Sequence, residues 1–89
     1  MVELNHNIKN VNASVLVKGD HGVIVGIHVS KTGSSGAKLE LKNGTVTGSP
    51  LELTVYGESI QNIQDINRRF EAGIYATVTG SAEYVIIYK

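Results

Sequence analysis

Apolar and polar residues alternate along most of this chain. Ala37, Leu39 and Leu41 point one way, and Lys38, Glu40 and Lys42 the other. Leu51, Leu53 and Val55 alternate in the same manner with Glu52, Thr54 and Tyr56. A period of two marks a half-buried strand, one face on a core and one in water. Val23 to Val29 differs. It sets Val23, Val25, Ile27 and Val29 on one face, and Ile24, Gly26 and His28 on the other. Apolar side chains on both faces at its start predict a central strand covered on both sides. Ala13–Lys18, Ile74–Thr79 and Ala82–Lys89 read as further strands. In the closing pair Ile74, Ala76 and Val78 face away from Tyr75, while Tyr84 and Tyr88 share a face with Ala82 and Ile86. Those two tyrosines are the expected residues for packing between subunits. The chain stops on this last run, so the C-terminus is expected to be tied into a sheet.

The segments between the strands carry turn chemistry. Gly19–Gly22 is a turn, and Lys31–Gly36 is a flexible Gly/Ser loop. Asn43-Gly44 signals a hairpin, with a longer loop running to Pro50 as the alternative. Residues 58–72 are ambiguous. Ile60, Ile63, Ile66 and Phe70 fit one helical face, with Ser59 as a cap and Gly73 as an end. The competing reading is a loop followed by a short strand near Ile66–Phe70. Residues 1–12 are polar and Asn-rich, with isolated Val2, Leu4 and Ile8, and read as an N-terminal arm ahead of one β-domain over 13–89. Strands at this spacing predict a β-sandwich or small barrel.

At 89 residues the chain makes one small domain. Chains of this size bury too little surface to be very stable alone, so they recruit disulfides, metals or partner subunits. There is no cysteine, which excludes the first and any thiolate metal site, and leaves oligomerisation as the expected support. Eight basic and eight acidic residues are spread along the chain, giving no basic stripe for nucleic acid. No apolar run is long enough to cross a membrane as a helix, and Met1–His6 lacks the features of a signal peptide.

Candidate chemistry is thin. A metal would need two of His6, His21 and His28 to meet with Asp20 or Glu3, and no ligand-type spacing supports it. No serine stands in a nucleophile-elbow context that would join Asp20-His21 in a triad. Gly33-Ser-Ser-Gly36 is too short for that motif, and Lys31–Gly36 lacks the spacing of a phosphate loop. Asn12-Ala-Ser14 and Asn43-Gly-Thr45 match the glycosylation triplet, but without a secretory signal the match is empty. No catalytic, cofactor-binding or metal residues are therefore expected. Exposed tyrosines on a sheet (Tyr56, Tyr75, Tyr84 and Tyr88) suit either subunit packing or carbohydrate. Arg68-Arg69 beside Phe70 is a candidate contact for an acidic surface.

Four stretches in order resemble the small β-sandwich structural proteins of tailed-bacteriophage virions. They are Ser14–Gly19 with Gly22–Val29; the Ser/Gly loop, Ala37–Leu41 and Asn43-Gly44-Thr45, with the strand Leu51–Val55; Ile66–Phe70 with Gly73-Ile-Tyr-Ala76; and Gly80–Lys89. Together they span about residues 13–89. The resemblance implies an all-β, jelly-roll-like single sandwich of six to eight short strands, with Ile66–Phe70 extended. It implies a non-enzymatic virion protein without cofactor, assembled in the host cytoplasm. That protein would be a homotrimeric capsid decoration or cement protein bound to the major capsid protein or another virion protein. A neck, tail or fibre-base adaptor is the first alternative, and a carbohydrate-binding attachment module the second. The arm, 1–12, is the expected reach toward a neighbour.

Overall fold

A computed structural model describes residues 6–89. Its strands are β1 (Asn7–Val11), β2 (Val15–Lys18), β3 (Gly22–Lys31), β4 (Lys38–Asn43), β5 (Leu51–Tyr56), β6 (Gln61–Ile63), β7 (Arg68–Phe70), β8 (Ile74–Thr79) and β9 (Glu83–Tyr88). There is no helix among the described residues. All pairings are antiparallel. Sheet A has the order β1-β9-β3-β6, with β7 also pairing on β3, and sheet B the order β2-β8-β4-β5.

β6 and β7 lie along the same edge of β3 and form one interrupted strand. Counted so, the chain passes from sheet to sheet at every connection except the β4–β5 hairpin. That winding is a jelly roll, and the protein is a single all-β sandwich. The count of nine exceeds the expected six to eight for two reasons. The edge strand is split, and β1 falls within residues read as an arm. Asn7–Val11 pairs residue for residue with β9. Its polar sequence suits an edge strand, whose outer side meets water. Residues 1–5 of the expected arm lie outside the described residues.

The core lies between the sheets and, among the described residues, is apolar but for the Tyr84 hydroxyl. Ala37 just before β4, Leu39 and Leu41 of β4, Ile74 and Ala76 of β8, and Ile86 of β9 are fully buried, as their alternation predicts. β3 departs from its predicted faces. Both Ile24 and Ile27 are fully buried, with Val29, while Val25 and His28 are half-buried. A bulge explains this: Ile24 stands opposite Tyr88 but Gly26 opposite Ile87, so Val25 is an extra residue. One inserted residue exchanges the two faces of a strand from that point on.

The other neighbour of β3 breaks at the same level. Ile27 pairs with Ile63 and Ile24 with Arg68, so residues 64–67 span only Val25 and Gly26. Asp65 and Asn67 take left-handed conformations there (φ 57° and 50°), and the Ile66 N–H donates to the Val25 carbonyl at 2.9 Å. Asp and Asn are the non-glycine residues that tolerate this region best. This break accounts for the false helical spacing: Phe70 is buried on β7, whereas Ile60 is 60% exposed.

Asn43-Gly44 does not close a tight hairpin. The loop runs to Pro50, pinned by the Asn43 N–H donating to the Pro50 carbonyl at 2.8 Å. Gly73 is required beneath it. Its φ is 139°, and a Cβ would meet the Gly44 and Lys18 carbonyl oxygens.

Phe70→Ala is expected to cost about 3–5 kcal/mol in urea denaturation and Ile60→Ala less than about 0.5 kcal/mol. Comparable losses at both would restore the helical face.

Candidate functional site

β3 carries the chain from one end of the sandwich to the other, and this separates the candidate catalytic groups. His21 and Asp20 lie in the turn before it, with loops 44–50 and 71–73 at the same end. Gly33-Ser-Ser-Gly36 follows it at the opposite end, beside Gly57 and Ala82. A triad from these groups is therefore geometrically excluded. His28 sits mid-strand on the outer face of sheet A, level with Val85 and Asn62, and His6 lies exposed just before β1. Among the described residues no three His, Cys, Asp or Glu side chains are grouped to hold a metal. Glu3 lies outside them.

Several other candidates have structural work. The loop over Lys31–Gly36 is tied down: Gly33 N–H donates to the Gly57 carbonyl at 2.9 Å, and Gly36 N–H donates to the Glu58 carboxylate. The Asn43 side-chain oxygen accepts from Ala72 N–H at 2.8 Å, and Ser14 Oγ accepts from Val78 N–H at 3.1 Å. Arg68 bonds Glu52 at 2.8 Å, joining the edges of the two sheets, and Arg69 pairs with Glu71.

The tyrosines divide. Tyr84 is fully buried, so it is a core residue and not a subunit contact. Its ring faces inward because β9 lies between two neighbours and its even-numbered residues point to the core. Tyr88 is half-buried against the same core. Tyr75 is half-buried on the outer face of sheet B, and Tyr56 is 57% exposed on that face.

The candidate contact surface is the outer face of sheet A. Ile8 stands beside Ile87, and Val85 lies between Asn10 on one side and His28 on the other. Ile8 is 68% exposed. Two shallow grooves flank this apolar row. One, of about 280 Å³, has His6, Val25, Ile87, Asn62, Gln64 and Asp65 around a floor at Gly26. The other, of about 330 Å³, is lined by Asn10, Asn12, Ser30, Glu83 and Val85 above Tyr84. Ser30 Oγ donates to the Glu83 carbonyl at 3.2 Å, and Lys31 lies 3.9 Å from the Glu83 carboxylate. Apolar side chains bordered by amides and hydroxyls suit contact with another protein surface. The first groove was hidden in the sequence, since it exists only because β3 bulges and its neighbour breaks. The exposed Ile8 was masked by the polar residues around it.

No family model, curated protein or solved structure matches this chain.

Beneath the second groove the Tyr84 hydroxyl is buried with no partner among the described residues and abuts Gly57. Burial raises its pKa above the usual 10.0. The neutral form is present in both states at neutral pH. Above pH 10.0 the unfolded chain loses this proton while the folded one keeps it, so stability falls as pH rises. Tyr84→Phe is expected to fold with stability within about 1 kcal/mol of the parent and to lose part of this alkaline sensitivity in thermal melts. Gly57→Ala should destabilise by about 1–3 kcal/mol, because the new methyl meets that hydroxyl and Ala82, and Tyr84→Phe should recover part of the loss.

Proposed function

We propose that this protein is a non-enzymatic structural component of a tailed-bacteriophage virion, a decoration or cement protein that binds the assembled head as a homotrimer. The observation that carries the reading is the strand order, β1-β9-β3-β6 over β2-β8-β4-β5. It is the jelly roll that the ordered sequence resemblance implies, and this fold recurs in viral capsid domains. A jelly roll also serves lectins and enzymes, so the fold by itself assigns no activity. The surface adds support. The outer face of sheet A offers apolar and amide groups over shallow grooves, as a protein-binding face does.

The mechanism is mechanical. Each copy bridges neighbouring capsid subunits, and a trimer on a threefold or quasi-threefold position makes every weak contact several times. The sum opposes the pressure of packaged DNA. A neck, tail or fibre-base adaptor would use the same surface at a single vertex. The carbohydrate reading is favoured by one feature, the exposed Tyr56 ring on sheet B, which is available for stacking on a sugar.

Co-sedimentation of the purified protein with heads that lack it tests the proposal. Saturable binding at the threefold positions of the lattice, with raised thermal stability of the head, is the expected result. One ring of copies at a single vertex would move the assignment to the neck. Absence from the particle, with saturable binding to a glycan abolished by Tyr56→Ala, would replace it with the carbohydrate reading.

A further inference from the structure

Each sheet has two edges, and three of the four are blunted against pairing with another chain. β5 follows Pro50 and bulges at Glu52, where Leu41 faces Leu53 but Lys42 faces Leu51. The β6–β7 edge is broken by the left-handed Asp65 and Asn67. β2 has four residues and bulges at Val17. Bulges and breaks of this kind are how proteins prevent edge-to-edge association. β1 has none: its five residues run in unbroken register with β9.

The outward hydrogen-bonding groups of β1 can be identified. Val23 and Lys89 exchange a reciprocal pair of backbone bonds, at 2.7 and 2.9 Å. Lys89 therefore faces β3, as do Ile87 and Val85 by alternation, and Tyr88, Ile86 and Tyr84 face β1. Their partners Asn7, Lys9 and Val11 spend their N–H and C=O groups on β9. Those of Ile8 and Asn10, and of His6 by the same alternation, point off the edge of the sheet.

We infer that β1 is a self-association edge, and that its occupant is β1 of a second copy, running antiparallel about a twofold axis at Ile8. The register is chosen by chemistry. Centred on Ile8, the two copies exchange reciprocal backbone bonds between Ile8 and Ile8, and between His6 and Asn10 in both directions. All three outward-pointing residues are then satisfied. Lys9 lies opposite Asn7, and the outer face gains one continuous row, Ile87–Ile8–Ile8–Ile87 across the two copies. Centred on Lys9 the same strands would set two ammonium groups face to face and leave His6 unpaired, which costs stability. The contact is isologous and closes after two copies. It is independent of the virion reading. In a decoration layer of trimers it would join neighbouring trimers across twofold positions.

The test uses the intact chain, which has no cysteine of its own. Directly opposed strand residues lie about 5.5 Å apart at Cα, within disulfide range. Ile8→Cys is expected to form a covalent dimer under mild oxidation at least about tenfold faster than Leu51→Cys, a cysteine at an exposed position on another sheet edge. Light scattering should show a concentration-dependent doubling of mass for the parent, and Ile8→Lys should raise the dissociation constant of that step at least about tenfold with unchanged circular dichroism. Equal crosslinking rates at the two positions, a parent that stays monomeric at about 1 mM, or an oligomer indifferent to Ile8→Lys would each overturn the inference. A trimer of that last kind would still leave the head-binding proposal standing.

Discussion

The bulge at Val25 is the constraint on which the rest of this molecule depends. β3 pairs with β9 on one side and with β6 and β7 on the other, so it organises all of sheet A but β1. Without the extra residue, Ile24 and Ile27 would point to opposite faces, and one of them would leave the core for solvent. Each buries a full aliphatic side chain, worth about 1.5–3 kcal/mol of hydrophobic stabilisation, which is a large share of what a domain of this size retains. The same insertion forces the neighbouring strand to break, and Asp65 and Asn67 accept the left-handed backbone that the break requires. The groove over Gly26 is the outer-surface consequence.

How much of this was legible in the sequence follows from the same physics. Regular alternation identified β4, β8 and β9, because a half-buried strand writes its burial into every second residue; it also located β5, but set Leu51 inward, where the bulge at Glu52 turns that side chain out to 51% exposure. Bulges erase that writing. β3 looked apolar on both faces since Val25 shifts the phase midway, and no residue type announces where a phase will shift. The split strand then mimicked a helix: Ile63, Ile66 and Phe70 fall at helical spacing only because residues 64–67 loop past Val25 and Gly26. β1 was unreadable for another reason. An edge strand with one side in water needs few apolar residues, and Asn7–Val11 has two. Tyr84 shows the limit of residue type as a guide, since a tyrosine can be wholly enclosed when small residues such as Gly57 and Ala82 make room for it.

The candidate surface inherits these features. Residues singled out by chemical type, the histidines and the Gly/Ser loop, are spread to opposite ends or engaged in holding loops. What the fold brings together instead is a face of Ile8, Ile87, Val85 and Val25 edged with amides, next to the one described edge strand with neither bulge nor break. Both observations suit a protein that works by contact with other surfaces. That agrees with the structural role in a virion proposed for it, and with the shortage of internal support in so short a chain.

The bulge can be tested directly by measuring cross-strand proton contacts between β3 and β9 by NMR in solution. The account predicts contacts of Ile24 with Tyr88 and of Gly26 with Ile87, with Val25 lacking a partner of its own opposite β9. An uninterrupted ladder, in which Ile27 still faces Ile86 but Ile24 faces Lys89, would contradict it. The burial pattern of β3, the break between β6 and β7 and the groove above Gly26 would then all need another cause.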